Sequence, residues 1–370
     1  MRCGFCRVEC PTWSFIDWES GTPRGRMMII KALLDGELEV NDYIAERTYQ
    51  CTLCGYCLWR CPSGVETTEA IKALRSLLVS RGLSPEALEP ISRHIKENKS
   101  IYQSPRETRR NWIEKLGLEE IVRIGGEAEV IYFPGCMASL SDRTMKVAGA
   151  TSTILHAAGL DWAVLGEEWC CGDPLFLSGM PDFAKELAEH NIEAIRGSKA
   201  KVLVTSCAGC FRTFMREYPK IIGDLGVEVY HTSQFFIKLL KEGKLRLEKP
   251  VNMTATYHDP CELGRLMGVY EPPRDILKTI PGLKLIELRK NRNLTVCCGG
   301  GGMLRVTYPD IAAKLAKRKL DEAHEAKAEA IVSACPTCEI NLIEAKNESG
   351  DDMEVLDISE VVARAIKKER

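Results

Sequence analysis

The sequence predicts an α/β fold in which a helical, cysteine-rich N-terminal module precedes two copies of one α/β domain. Three observations carry this. Cysteines recur twice in the order C, CC, C-x-x-C; β-branched runs alternate with amphipathic helices from Glu129 onward; and the first 62 residues hold two cysteine runs that end in Cys-Pro.

The last third of the chain carries Cys261 in HDPCELGR, Cys297 and Cys298 in TVCCGGGGMLR, and Cys335 and Cys338 in VSACPTC, separated by 35 and 36 residues. About 125 residues upstream, Cys136 in YFPGC, Cys170 and Cys171 in WCCG, and Cys207 and Cys210 in TSCAGC repeat that order with separations of 33 and 35. Two copies are too few to stack as a solenoid, so the repeat reads as a duplicated domain. The runs MTATY, LTV and AIVSA lead into the three later groups, which puts the thiols where strands deliver the chain into loops. Sites are commonly built there, and thiolates from several loops can converge on one soft, polynuclear centre.

In chain order, the N-terminal module (1–80) holds Cys3, Cys6 and Cys10 before Pro11, then Cys51, Cys54, Cys57 and Cys61 before Pro62. The second run has the full spacing of a [4Fe–4S] site, three thiolates on one cluster and the last reaching to its neighbour. The first run lacks its leading cysteine, which by spacing falls one position upstream of Met1; the expectation is a preceding segment that supplies it, and the alternative is a first cluster held by three thiolates, of [3Fe–4S] type or completed by a water or carboxylate. Crossed pairing then assigns Cys3, Cys6 and Cys61 to one cluster, and Cys10, Cys51, Cys54 and Cys57 to the other. TPRGRMMIIKALLDGEL between the runs reads as a packing helix. TTEAIKALRSLLVSRG is helical by its apolar spacing, with Gly82 as its stop and Ser84-Pro85-Glu86 opening another helix. Residues 81–127 read as a helical linker, with RETRR as a solvated basic face.

Two α/β domains follow, at 128–247 and 248–370. In the first, EVIYF, KVLVT and VEVYH read as strands, and MKVAGATSTILHAAG, DFAKELAEHNIEAIRG and SQFFIKLLKEG as helices. In the second, VNMTATYH, KLIEL and AEAIVSA are strands and IAAKLAKRKLDEAHEAK is the main helix. This alternation implies parallel sheets with crossover helices. Gly299 to Gly302 do not form a nucleotide-binding motif. Their expected role is to let backbone pass close to a bulky cluster. His258 and Asp259 read as a loop held by side-chain hydrogen bonds.

Composition narrows the chemistry. With 370 residues, 45% apolar and 28% charged, the chain is ordinary soluble protein. A net charge of −2 gives no electrostatic reason to expect nucleic acid or an anionic membrane surface. No apolar run approaches the roughly 18 residues of a membrane span, and the N-terminus has no apolar signal segment. Seventeen cysteines could be a disulfide scaffold, zinc sites or iron–sulfur sites. A disulfide scaffold suits a shorter, exported chain with an even count. Zinc favours isolated pairs with histidine partners, whereas only His258 lies near a cysteine. Clustered reduced thiolates are what iron–sulfur ligation needs, in a reducing compartment.

Taken together, the doubled C, CC, C-x-x-C order, YFPGC, YHDPCELGR, GVYEPPRDIL and CCGGGGMLR resemble the paired cysteine-rich (CCG) domains of heterodisulfide reductase catalytic subunits. The ferredoxin-like two-[4Fe–4S] module in front makes the chain similar to the fused, membrane-associated form. The resemblance implies two non-cubane [4Fe–4S] clusters besides the two cubane ones. One would be held by Cys136, Cys170, Cys171, Cys207 and Cys210, the other by Cys261, Cys297, Cys298, Cys335 and Cys338, one on either side of a disulfide substrate. It implies reduction of CoM-S-S-CoB or a related disulfide to two thiols, with two electrons relayed singly. The reductant would come from a cytochrome b-type membrane subunit or a flavoprotein. Arg265 and Arg305 are candidate contacts for an anionic substrate. The expected place is cytoplasmic, peripheral to the inner face of the membrane where a partner subunit holds it there. The competing expectation is an electron-transfer subunit of a flavin-dependent glycolate, lactate or glycerol-3-phosphate dehydrogenase, passing electrons toward quinone.

Overall fold

Two parallel four-stranded sheets dominate the computed structural model, which describes residues 3–367. The first sheet has the order β2-β1-β3-β4 (Trp162–Val164, Val130–Phe133, Val202–Thr205, Glu228–His231). The second is β6-β5-β7-β8 (Leu283–Ile286, Met253–Tyr257, Ala330–Ser333, Glu354–Asp357). Identical order confirms the internal duplication. Central strands β1 and β7 are buried at every position, as parallel strands covered by helices on both faces must be. The cysteine expected upstream of Met1 lies outside the described residues.

The N-terminal module is helical: α1 (Pro23–Leu34), α2 (Asp42–Tyr49), α3 (Thr67–Ser80) and then α4 (Glu89–Asn98). Thr22 caps α1 by accepting from Gly25 N, with Pro23 at the first helical position, and Asn41 caps α2 by accepting from Ile44 N. Helix α3 buries Ile71, Leu74 and Leu78 at helical spacing; each is worth about 1.5–3 kcal/mol of burial. The same face carries Arg75, fully buried. Its guanidinium donates to the carbonyls of Thr48, Cys51, Leu177 and Gly302, which come from the module and both repeats.

Each repeat has a helix after its first strand, α5 (Met145–Ala157) and α8 (Glu271–Thr279), and a long helix before its third, α6 (Pro181–Gly197) and α9 (Pro309–Glu325). A helix follows each fourth strand, α7 (Thr232–Lys241) and α11 (Ile358–Ala365); α10 (Pro336–Ser349) follows β7. Capping boxes start both of the helices that follow a fourth strand, with His231 and Gln234 in one and Asp357 and Glu360 in the other. Helix α5 packs on α11 and α7 on α8, so the repeats exchange equivalent helices about a pseudo-twofold axis. One hydrophobic core runs through both repeats, from Val130 and Tyr132 to Ala255, Tyr257 and Val362.

Three expectations change. LTV is not a strand: Thr295–Cys298 is irregular chain after a 3-10 turn at Arg292–Leu294. Strands β2 and β8 (DWAV and MEVLD) were not anticipated; each is the counterpart of a strand foreseen in the other repeat. The segment from 99 to 127 is not a spacer. It folds as short turns, Arg106–Arg110 and Asn111–Lys115, onto the first repeat, with Trp112 and Ile113 in the shared core. A polar surface pattern concealed that apolar pair.

Candidate iron–sulfur centre

Local geometry explains the CC-Gly signature. Gly172 and Gly299, with φ of +86° and +93°, turn their N–H groups back onto the first sulfur of each pair, Gly172 N to Cys170 Sγ at 3.5 Å and Gly299 N to Cys297 Sγ at 3.4 Å. A left-handed residue at that position is cheap only for glycine. Both C-x-x-C groups sit where a third strand ends and a helix begins, so Cys207 and Cys335 leave the strand while Cys210 and Cys338 ride the first helical turn.

The ten thiols of the repeats form one buried series. Cys171 and Cys210 Sγ are 3.2 Å apart, Cys261 and Cys297 Sγ 4.0 Å. Cys136 lies against Cys170, and Cys338 against Cys298 and Cys335. Across the pseudo-twofold axis, Cys207 touches its counterpart Cys335. In the N-terminal module, Cys6 is in electrostatic range of Cys3, Cys10 and Cys61, and Cys57 of Cys51, Cys54 and Cys10. Cys10, Cys51, Cys54 and Cys57 line one small recess with Arg26 and Thr68. Cys54 and Tyr56 pack directly on Cys261 and Cys297. The thiol groups therefore run in line: N-terminal module, second repeat, first repeat.

None of the seventeen cysteines is paired in a disulfide. Burial pushes the thiols of Cys10, Cys54 and Cys57 up from their usual range, Cys54 to about 12. Thiols packed this densely in apolar surroundings cannot ionise together without a cation, and metal coordination is what removes their protons. The donor set suits iron–sulfur clusters.

The series ends on a cavity of 280 Å³. Cys136, Cys170, Cys171, Cys207 and Cys210 of the first repeat line it together with Gly300, Gly301, Gly302, Thr337 and Glu262 of the second. Ile91, Ile101, Tyr102, Met303 and Val306 give it an apolar lining, with Arg305 among them. Arg305 is paired with Glu344 at 2.6 Å. The sulfurs of Cys261, Cys297, Cys298, Cys335 and Cys338 do not line this cavity; the second repeat contributes loop backbone and flanking side chains instead.

Several residues do something other than what the sequence suggested. Arg265 is spent on backbone, donating to the carbonyls of Cys54, Asn293 and Thr295, and so joins the N-terminal module to the second repeat. Within RETRR, Arg109 is buried rather than solvated: it donates to Cys136 Sγ at 3.1 Å and pairs with Glu168 at 2.7 Å. Burial pushes the Glu168 carboxyl up to about 7 against the pull of Arg109. The glycines also make room for protein backbone: a Cβ on Gly302 would lie 2.5 Å from Thr52 C, and one on Gly300 2.9 Å from Thr337 O.

A buried ionic group also escaped sequence reading. Arg212 binds Asp173, Glu217 and Glu262 together. Burial, with Asp173 nearby, pushes the Glu262 carboxyl up to about 8. These four residues come from three separate stretches of chain, and no local pattern links them.

The comparisons with known proteins agree with this geometry. A family model described as a cysteine-rich domain matches residues 130–215 and 255–343, and one described as a 4Fe-4S dicluster domain matches 1–65. The chain is 35% identical, over 99% of its length and 93% of the relative's, to a subunit of the dihydromethanophenazine:CoB–CoM heterodisulfide reductase of Methanosarcina barkeri. It is 32% identical over 88% of its length to the probable iron-sulfur-binding oxidoreductase FadF of Bacillus subtilis, of which that match covers 48%. A solved structure of a hypothetical protein from Helicobacter pylori shares the fold, with a TM-score of 0.61 at 9% identity over 94% of this chain and 68% of that one. Doubled cysteine-rich repeats, a dicluster module in front and end-to-end similarity converge on one assignment: the chain belongs to the heterodisulfide reductase family of iron–sulfur oxidoreductases, enzymes that act on a disulfide.

Proposed function

We propose that this chain reduces a disulfide of the CoM-S-S-CoB class in the 280 Å³ cavity, drawing electrons through the thiol series from the N-terminal module. The overall change is RSSR′ + 2e⁻ + 2H⁺ → RSH + R′SH. The observation that carries it is that the cavity lies at the far end of the series, between loops of both repeats. The first repeat's cluster would take the part of that space beside its five cysteines, and the apolar residues that complete the lining, Ile91, Ile101, Tyr102 and Val306, would border the disulfide next to it.

The residues divide as follows. Cys3, Cys6 and Cys61 would hold the outer cluster, with any further ligand supplied from elsewhere, and Cys10, Cys51, Cys54 and Cys57 the inner one. The two five-cysteine sets, one per repeat, would hold two further [4Fe–4S] clusters of non-cubane type. When bound, such clusters supply one-electron redox chemistry over a potential range set by their surroundings. Ile91, Ile101, Tyr102 and Val306 exclude water from the reacting disulfide. Arg305, oriented by Glu344, presents positive charge to a substrate sulfonate or phosphate. Oxidation of a partner, a cytochrome b-type membrane subunit or a flavoprotein, supplies the electrons at the outer cluster. No helix among the described residues is long and apolar enough to cross a membrane.

The test is anaerobic. Purified protein should contain about 16 iron per chain, four clusters of four, and should oxidise reduced viologen on addition of the CoM-S-S-CoB disulfide. Cys298→Ser and Cys171→Ser should each abolish turnover, and Arg305→Met should raise KM for an anionic disulfide without loss of iron. Iron-replete protein that reduces no disulfide would sink the proposal and leave an electron-transfer protein, the role implied for relatives such as the EtfAB:quinone oxidoreductase of Syntrophomonas wolfei.

A further inference from the structure

The two repeats differ at one buried position beside their thiols. In register, Tyr132-Phe133-Pro134-Gly135-Cys136 matches Tyr257-His258-Asp259-Pro260-Cys261. The first repeat places Phe133 there, edge-on to Phe214 with ring centroids 5.0 Å apart. The second places His258, 1% exposed, and neither of its ring nitrogens has a hydrogen-bond partner. A ring nitrogen of His258 and the sulfurs of Cys298 and Cys338 lie within 4.8 Å of one another.

The imidazole is held in place without using its ring. His258 N donates to Val332 O at 2.8 Å, which ties the residue to β7. The next residue, Asp259, takes two hydrogen bonds from Arg274, at 2.7 and 2.8 Å, and another from Arg292 N. Of the pair expected to hold this loop by side-chain hydrogen bonds, Asp259 does so and His258 does not. An unpartnered buried imidazole costs stability unless something meets it. In either protonation state the ring keeps an N–H to donate.

We infer that His258 is a positioning residue for the second repeat's cluster, donating its ring N–H to the cluster's sulfur at the Cys298–Cys338 side. This rests on the proposal that the second five-cysteine set holds a cluster. An N–H aimed at sulfur stabilises the reduced state more than the oxidised one, because the added electron places more negative charge on sulfur. The donor therefore raises the potential of the cluster that meets the N-terminal module. The first repeat has no counterpart at this position, since a phenyl ring cannot donate; its nearest polar contact to sulfur is Arg109 on Cys136.

Redox titration followed by electron paramagnetic resonance tests this on the full chain, with iron counted first. His258→Phe copies the first repeat's residue, so it should keep its iron and lower one midpoint potential while the others stay. At a fixed potential the reduced fraction of that cluster relative to oxidised should fall about tenfold, equivalent to 59 mV for one electron. His258→Gln, which keeps an N–H, should move it less. Pulsed resonance on protein carrying 15N-histidine should show one weakly coupled nitrogen that His258→Phe removes. Unchanged potentials in an iron-replete His258→Phe protein would overturn the inference. So would a strongly coupled, directly bonded nitrogen, or loss of one cluster in that variant, since either makes His258 a ligand. Wild-type protein lacking the second repeat's iron would instead overturn the cofactor assignment itself.

Discussion

Arg75 shows how much one side chain can decide. Its four carbonyl acceptors come from residues 48, 51, 177 and 302, and it is fully buried. Removing the guanidinium strands several carbonyls in a dry interior, at about 1–3 kcal/mol for each one left unpaired. Arg75→Met should therefore lower the chemical-denaturation midpoint substantially and loosen the N-terminal module from both repeats, seen as faster amide exchange at Thr52 and Leu53. Gly302 faces the same junction. With φ of +62° and Thr52 backbone where a Cβ would go, Gly302→Ala combines strain with a steric push. A loss of about 1–3 kcal/mol is expected, and a variant as stable as wild type would show that the junction yields easily.

At the scale of elements, the ionic group around Arg212 joins the start of the first repeat's last third to the loops after Cys171 and Cys261. Arg212 and Glu217 are buried, and Lys72 of α3 reaches Glu217 at 3.0 Å. A buried pair is weak evidence for stability in itself, but breaking one is costly, because uncompensated charge is left behind. Arg212→Met leaves Asp173, Glu217 and Glu262 without their shared partner. The expected loss is about 3–5 kcal/mol, measured by denaturant unfolding under anaerobic conditions. A quadruple variant that also neutralises the three carboxylates should recover much of it. Failure to recover would mean that packing, not charge, is what Arg212 contributes.

The whole molecule behaves as two interlocked copies with a module clamped on one side. Because α5 packs on α11 and α7 on α8, neither repeat completes its core alone. The connection between them is itself buried at Leu245, Leu247 and Val251. Limited proteolysis of the native protein should leave this connection intact. Early cleavage there would show that the repeats separate. The same clamping sets the direction of electron flow proposed here, since Cys54 packs with Cys261 and Cys297 while Cys51 meets the first repeat at Leu177 and not at its cysteines, among the described residues.

Much of this was readable from local pattern. Helix periodicity located α3, α5, α6, α7 and α9, and the pitch of the cysteines located every thiol that the fold gathers. It also marks the duplication that the two sheets share. Each missed strand, Trp162–Val164 and Glu354–Asp357, is short and carries little β-branched signal, yet the repeat itself held the correction, because the matching strand was legible in the other copy. What the sequence determined is therefore what neighbours along the chain determine: spacing, period, and the donor atoms. Tertiary structure alone decided the cavity, the burial of Arg109 against Cys136, the network on Arg212, and the empty-handed imidazole of His258. Those depend on contacts between residues tens to hundreds of positions apart, and the energy of such a contact leaves no periodic trace in the sequence that makes it.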